Sequence, residues 1–144
     1  MYRRSIRLLL IEDCASDVWL VREALRLAQV RVQMTIARDG VEATDYLRSV
    51  QMKTVACPDL IVLDLNLPRK NGHEVLAEIK SSPWLQGIPI VVFSGSNADG
   101  DRRRAYELHA SCFITKPDNL PAYVETVRDM EKFWLSSLRL RQPA

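Results

Sequence analysis

The chain has 144 residues, one domain by size and long enough to bury roughly two thirds of the surface its unfolded form would expose, so it needs no staple to fold. Twenty basic and 18 acidic residues leave a formal charge of +2, which excludes a net field strong enough to argue for nucleic acid or an anionic membrane as partner. Three widely spaced cysteines, Cys14, Cys57 and Cys112, fit neither a disulfide framework nor a zinc pattern. The apolar run after the basic start stops at Glu12-Asp13, too short for a signal peptide or a membrane span, so the expected compartment is a reducing cytosol.

Ile6 to Ile11, interrupted only by Arg7, reads as a buried first strand closed by Glu12-Asp13. From Ser16 onward, Val18, Val21, Leu25 and Ala28 recur at helical spacing, with Ser16 or Asp17 as the expected cap. Val30 to Ala37 alternates apolar and polar residues, the pattern of a more exposed strand towards an edge. Asp39-Gly40 opens a helix through Val41, Ala43, Thr44 and Leu47, and Gln51 to Pro58 is a loop. The stretch Asp59 to Pro68 follows, a run of branched apolar residues buried on both faces that ends at a carboxylate, Asp64. After a turn at 68–72, His73 to Ser82 carries Val75, Leu76 and Ile79 on one face until Pro83. Ile88 to Phe93 is a third apolar strand ending at Ser94-Gly95-Ser96, and Ala98 to His109 is a polar helix containing Arg102-Arg103-Arg104. Ser111 to Thr115 is a short strand running into Lys116-Pro117, and Asn119 or Asp118 caps a final helix over 119–140.

Five strand-then-helix units with no internal linker or repeat predict an α/β fold: a five-stranded parallel sheet, doubly wound, with helices on both faces. Topology then brings Glu12, Asp13, Asp64, Ser94 and Lys116 to one rim, beyond the carboxyl ends of the strands where such sheets bind ligands. Crowded carboxylates ask for a cation, and all-oxygen ligands with room for water suit Mg²⁺. Asp64 at the centre can act as a nucleophile towards phosphorus, with Lys116 and Ser94 compensating charge on the equatorial oxygens.

This set, Glu12-Asp13 after the first strand, Asp64 after the third, Ser94 after the fourth and Lys116-Pro117 after the fifth, resembles the receiver domain of bacterial two-component response regulators over essentially the whole chain. The resemblance implies a CheY-like, flavodoxin-like three-layer sandwich, (βα)5, with a tail at 1–5 and the long helix at 119–140. It also implies phosphoryl transfer from the phosphohistidine of a sensor histidine kinase to Asp64. Asp13, Asp64 and the carbonyl of Asn66 would bind Mg²⁺, with Mn²⁺ able to substitute, and Glu12 would act through water. By the same resemblance Ser94 and Phe113 form a switch pair, the bond before Pro117 is cis, and Asn66 and Ser96 tune loss of the phosphoryl group. The phrases Leu63-Asp64-Leu65-Asn66-Leu67-Pro68, Glu74 to Lys80, Tyr106-Glu107-Leu108-His109 and Phe133-Trp134-Leu135 look like the small single-domain regulators that partner phytochrome-type histidine kinases.

Nothing after the last helix resembles an output domain, so output is expected through partner binding or a change of oligomer. The apolar stripe Tyr123, Val127, Met130, Phe133, Trp134 and Leu138 on the last helix predicts a homodimer. His73 and His109 lack ligand spacing and receive no role, and the arginine triplet reads as a solvated helix face. Two other functions compete. A phosphohydrolase with an aspartyl nucleophile usually has an acid two residues on, where this chain has Asn66. A CheY-like binding module that is never phosphorylated would keep the fold without the chemistry.

Overall fold

The computed structural model describes residues 5–95 and 99–141, with side chains described at all of these except Asp99 and residues 134–141. Strands and helices alternate throughout: β1 (Ile6–Ile11), α1 (Ala15–Leu27), β2 (Val32–Ala37), α2 (Gly40–Gln51), β3 (Leu60–Leu63), α3 (Gly72–Ser81), β4 (Ile90–Ser94), α4 (Asp99–Glu107), β5 (Cys112–Thr115) and α5 (Leu120–Arg141). The five strands form one parallel sheet in the order β2-β1-β3-β4-β5. The alternating segment is indeed an edge strand, and the three apolar runs fill the centre.

The period-two geometry of the strands sorts their side chains between two cores. Leu9, Ile11, Ile61, Leu63, Ile90, Val92 and Phe113 point to one face, where Ala43 and Leu47 of α2, Val75, Leu76 and Ile79 of α3 and Ala105 of α4 cover them. Ile6, Leu8, Leu10, Leu60, Val62, Val91 and Phe93 point to the other, under Val18, Val21 and Leu25 of α1 and Tyr123, Val127 and Met130 of α5. Helices therefore lie on both faces of the sheet, as a parallel sheet requires.

Tyr123, Val127 and Met130 are buried in this chain's own core, and Tyr123 meets Phe93 edge to face with ring centroids 5.5 Å apart. They are not available to a second chain, which corrects their reading as dimer contacts. Helical periodicity marks a buried face without saying whose core buries it. Phe133 packs half-buried at the margin of the same cluster, while the side chains of Trp134 and Leu138 lie outside the described residues, as does Ser96. Among the described residues no peptide bond is cis, so the bond before Pro117, expected to be cis, is trans. The trans form is intrinsically preferred before proline by only about 0.5–1 kcal/mol, and here the Lys116 N–H already finds its partner, the Ser94 carbonyl, at 2.8 Å.

Three helices end the same way, without glycine. At the ends of α1, α2 and α4 the residues Gln29, Lys53 and His109 adopt left-handed φ values of 59°, 61° and 65°. In each the next amide bonds back five residues: Val30 to Leu25, Thr54 to Ser49 and Ala110 to Ala105. This is the Schellman pattern, in which glycine avoids the Cβ penalty at the left-handed position. Gln29→Gly should therefore raise stability by about 0.5–1 kcal/mol after the greater freedom of glycine in the unfolded chain is counted. Urea unfolding at unchanged m-value checks this, and a lowered midpoint would refute it.

Candidate functional site

The ladder brings the strand ends level. Ile11 pairs with both Ala37 and Leu63, Leu63 with Val92, and Ser94 with Thr115. The next residues emerge together: Glu12 donates its N–H to Ala37 O at 2.9 Å, Asp64 to Ile11 O at 3.0 Å and Lys116 to Ser94 O at 2.8 Å. Because β2 lies on one side of β1 and β3 on the other, the connections diverge between β1 and β3 and open a crevice there. Asp13 and Asp64 flank it.

Asp64 is held from behind. Gly72 opens α3, donates its N–H to Leu65 O at 3.0 Å, and lies so close that a Cβ would sit 2.5 Å from both Asp64 O and Leu65 Cα. Gly40 opens α2 against the same loop, where a Cβ would come 2.1 Å from Lys70 O. Between them Lys70 Nζ bonds Thr44 Oγ1 at 2.9 Å and also reaches Glu78, while Arg69 takes a left-handed φ of 69°. Asn71 and Asp39 cap α3 and α2 by accepting the Glu74 and Glu42 amides. The loop after β3 is thereby clamped between two helix starts.

Glu12 and Asp64 are buried and Asp13 is exposed, and one oxygen of each lies within 4.8 Å of the others. Lys116, its side chain 13% exposed, reaches into this group: Nζ is 2.6 Å from Glu12 Oε1, 2.7 Å from Asp17 Oδ2 and 3.1 Å from Asp64 Oδ2. Asp64 Oδ1 accepts the Asn66 N–H at 3.1 Å. Burial alone would lower the Lys116 ammonium, but its hydrogen bonds to Asp17 and Glu12 and the charges of Asp64 and Glu12 outweigh that and raise it. Glu12 is pushed up to about 7, first by burial and then by its hydrogen bond to Asp64, against the opposing pull of Lys116. Both partners of the Glu12–Lys116 pair are thus raised. For the carboxyl, loss of water and a second acid outweigh one cation.

Asp17 is the residue that sequence reasoning missed. The sequence offers Ser16 or Asp17 as the cap, but α1 starts at Ala15 with Cys14 at the cap position and the Glu12 carboxylate accepting the Cys14 N–H at 3.2 Å. Asp17 falls inside the first turn and turns towards Lys116. Its partner lies 99 residues further along the chain, where no local spacing points to it.

Ser94 is fully buried at the end of β4. Phe113 is buried on β5, with its N–H donated to Tyr106 Oη at 3.3 Å and the Arg102 guanidinium 4.9 Å from its ring centroid. Arg102 is therefore a cation–π partner as well as part of a solvated face. His73, given no role, is buried with Nδ1 unpartnered and Nε2 3.4 Å from Asp101 Oδ1. None of the three cysteines is in a disulfide, and Cys14 and Cys57 lie at the surface. No helix among the described residues is long and apolar enough to cross a membrane.

The family model of the response regulator receiver domain matches residues 8–128, and the chain belongs to that family. It is 42% identical to the response regulator Rcp1 of Synechocystis sp. over 134 residues, which cover 92% of this chain and 91% of that protein. Among solved structures it resembles the phosphorylated cyanobacterial phytochrome response regulator RcpA at 45% identity and a TM-score of 0.84, covering 93% of this chain and 96% of that one. The Mn²⁺-bound form of Rcp1 matches at 42% identity and a TM-score of 0.80, over 90% of this chain and 94% of that one.

The donor set fits a hard divalent cation: oxygen ligands only, in excess negative charge, one of them holding a proton near neutrality for want of a better partner. A cation must displace the Glu12 proton, so Mg²⁺ affinity should rise between about pH 6 and 8 with release of up to about one proton, then level off. Without metal the sign is opposite. A carboxyl raised from 4.5 to about 7 by folding contributes stability that is complete below 4.5 and lost as pH rises through about 7. Titration calorimetry in two buffers of different ionisation enthalpy measures the proton release; pH-independent affinity would contradict it. Gly72→Ala should cost about 1–3 kcal/mol by overpacking against backbone, read by urea unfolding, and an unchanged midpoint would mean the loop yields freely.

Proposed function

We propose that the chain is a phospho-accepting response regulator in which Asp64 takes a phosphoryl group from the phosphohistidine of a sensor histidine kinase. What carries the reading is the meeting of Asp64 with Glu12, Asp13 and Lys116 in one crevice, oxygens within 4.8 Å and the ammonium 3.1 Å from Asp64. An Asp64 oxygen attacks phosphorus in line; the O–P bond forms as the donor's P–N bond breaks, and the electron pair leaves with the imidazole, which takes up a proton. Lys116 Nζ, already on Asp64 Oδ2, is one bond from the atom that receives phosphorus and can follow an oxygen of the new group. Asn66 N–H on Asp64 Oδ1 orients the carboxylate. Ser94 takes another phosphoryl oxygen and, with Phe113, acts as the switch pair.

Asp13, Asp64 and the Asn66 carbonyl would hold Mg²⁺, or Mn²⁺ in its place, with Glu12 acting through water. Bound there, the cation supplies positive charge against the phosphoryl oxygens. The chain catalyses its own phosphorylation and, with Asn66 and Ser96 tuning water access, its own dephosphorylation. Likeness to a cyanobacterial phytochrome response regulator at 45% identity over 93% of this chain supports a phytochrome-type kinase as donor. A homodimer remains part of the proposal only through Phe133 and the helical turns after it. Light scattering with and without a phosphoryl mimic tests it, and monomer throughout would remove it.

Incubation with Mg²⁺ and a small phosphodonor such as phosphoramidate should give a phosphate-sized mass adduct. The adduct should be absent in Asp64→Asn and in chelator, and should form about 100-fold more slowly in Lys116→Ala, the scale of losing one charge-stabilising donor. No adduct on folded wild-type protein would put an unphosphorylated binding module in place of this reading.

A further inference from the structure

Asp17 stands outside the residues this chemistry uses, yet it is tied to them. From the first turn of α1 its Oδ2 accepts a hydrogen bond from Lys116 Nζ at 2.7 Å, across 99 positions of sequence. An ammonium has three N–H donors, and three carboxylates lie within reach of this one: Glu12 at 2.6 Å, Asp17 at 2.7 Å and Asp64 at 3.1 Å. Glu12 and Asp64 also belong, with Asp13, to the acidic cluster; Asp17 does not. A cation in that cluster draws on the lone pairs of Glu12 and Asp64, and phosphoryl transfer converts an Asp64 oxygen into a bridging one. Asp17 alone among the three partners undergoes neither change.

We infer that Asp17 is a positioning residue that anchors the Lys116 ammonium in the site through cation binding and phosphoryl transfer; the second half of this rests on the phospho-acceptor reading. A lysine side chain is a hydrated point charge on a flexible four-carbon stem, and fixing it costs rotamer entropy. A cation held by the neighbouring acidic cluster would repel it. Asp17 opposes both effects: its charge offsets the repulsion, and its place near the positive end of α1 holds the carboxylate itself. With one N–H on Asp17, Lys116 keeps two others for the phosphoryl group.

Two measurements test the anchor. In the Mg²⁺-saturated, unphosphorylated protein, the side-chain ammonium signal of Lys116, assigned by its disappearance in Lys116→Ala, should be visible by NMR as a slowly exchanging group. It should be lost in the near-isosteric Asp17→Asn. Persistence of the signal in Asp17→Asn, or its absence from the wild type, overturns the inference. In the phosphorylation assay at saturating donor, Asp17→Asn should be about tenfold slower than wild type, the scale of one charged hydrogen bond. In a Lys116→Ala background the same substitution should have no further effect. An equal loss in both backgrounds would mean that Asp17 supports only the helix, and no loss in either would mean that Lys116 needs no anchor. If the wild type accepts no phosphoryl group, the phospho-acceptor reading fails, while the NMR measurement still decides the anchor.

Discussion

A single half-buried ammonium holds the rim of this sheet together. Glu12, Asp17 and Asp64 arrive from the ends of two strands and the first turn of a helix, and Lys116, from the end of a third strand, is within hydrogen-bonding distance of all of them. Burying ionised groups is favourable only where partners satisfy them, and one cation among several acids leaves excess negative charge. The protein relieves part of that by raising Glu12 until it holds a proton near neutrality. The remainder is a standing attraction for cations, and this makes the crevice a site as well as the end of a sheet.

Such crowding survives because the backbone beneath it has little freedom. Every strand that feeds the crevice is paired, and β1 and β3 are paired on both edges. The loop after Asp64 cannot retreat, since the backbones at Gly40 and Gly72 touch it at distances that exclude a Cβ. A carboxylate attached to a loop able to relax would swing into water and lose both its raised neighbour and its lysine. Here the relaxation is blocked sterically, and the electrostatic cost is supported by the apolar burial of two cores.

The parts of this arrangement that were legible in the sequence follow from strong local rules. Apolar runs, broken in β1 only by Arg7, marked β1, β3 and β4, alternation marked the edge strand, and strand-helix alternation alone brought Glu12, Asp13, Asp64, Ser94 and Lys116 to one rim. What escaped depended on choices between competing partners. Ser16 and Asp17 are both cap candidates because serine and aspartate at a helix start usually cap it; the helix instead begins at Ala15, the Glu12 carboxylate accepts the Cys14 amide, and Asp17 faces Lys116. On α5, periodicity marked Tyr123, Val127 and Met130 as a buried face, but the burying surface was β1, β3 and β4 rather than another chain. The left-handed ends of α1, α2 and α4 carry Gln29, Lys53 and His109 where glycine would have signalled them.

The strand that carries Lys116 is also the one least held. β5 lies at the sheet edge and pairs with β4 alone, whereas the acids it serves stand on or beside β1 and β3. Three residues before Lys116, Phe113 sits in the opposite helical layer, its ring under Arg102 and its amide on Tyr106 of α4. A change of partner at the crevice biases a conformation only through interactions that differ between the two states. Lys116 is where such a difference arises, because its bonds to Glu12 and Asp64 compete with any other claim on those carboxylates, while its bond to Asp17 does not. A shift of the lysine is taken up by the few ladder bonds of β5 more cheaply than by the doubly paired strands. The α4 face is joined to this edge strand through Phe113, so any displacement of β5 meets Arg102 and Tyr106 first.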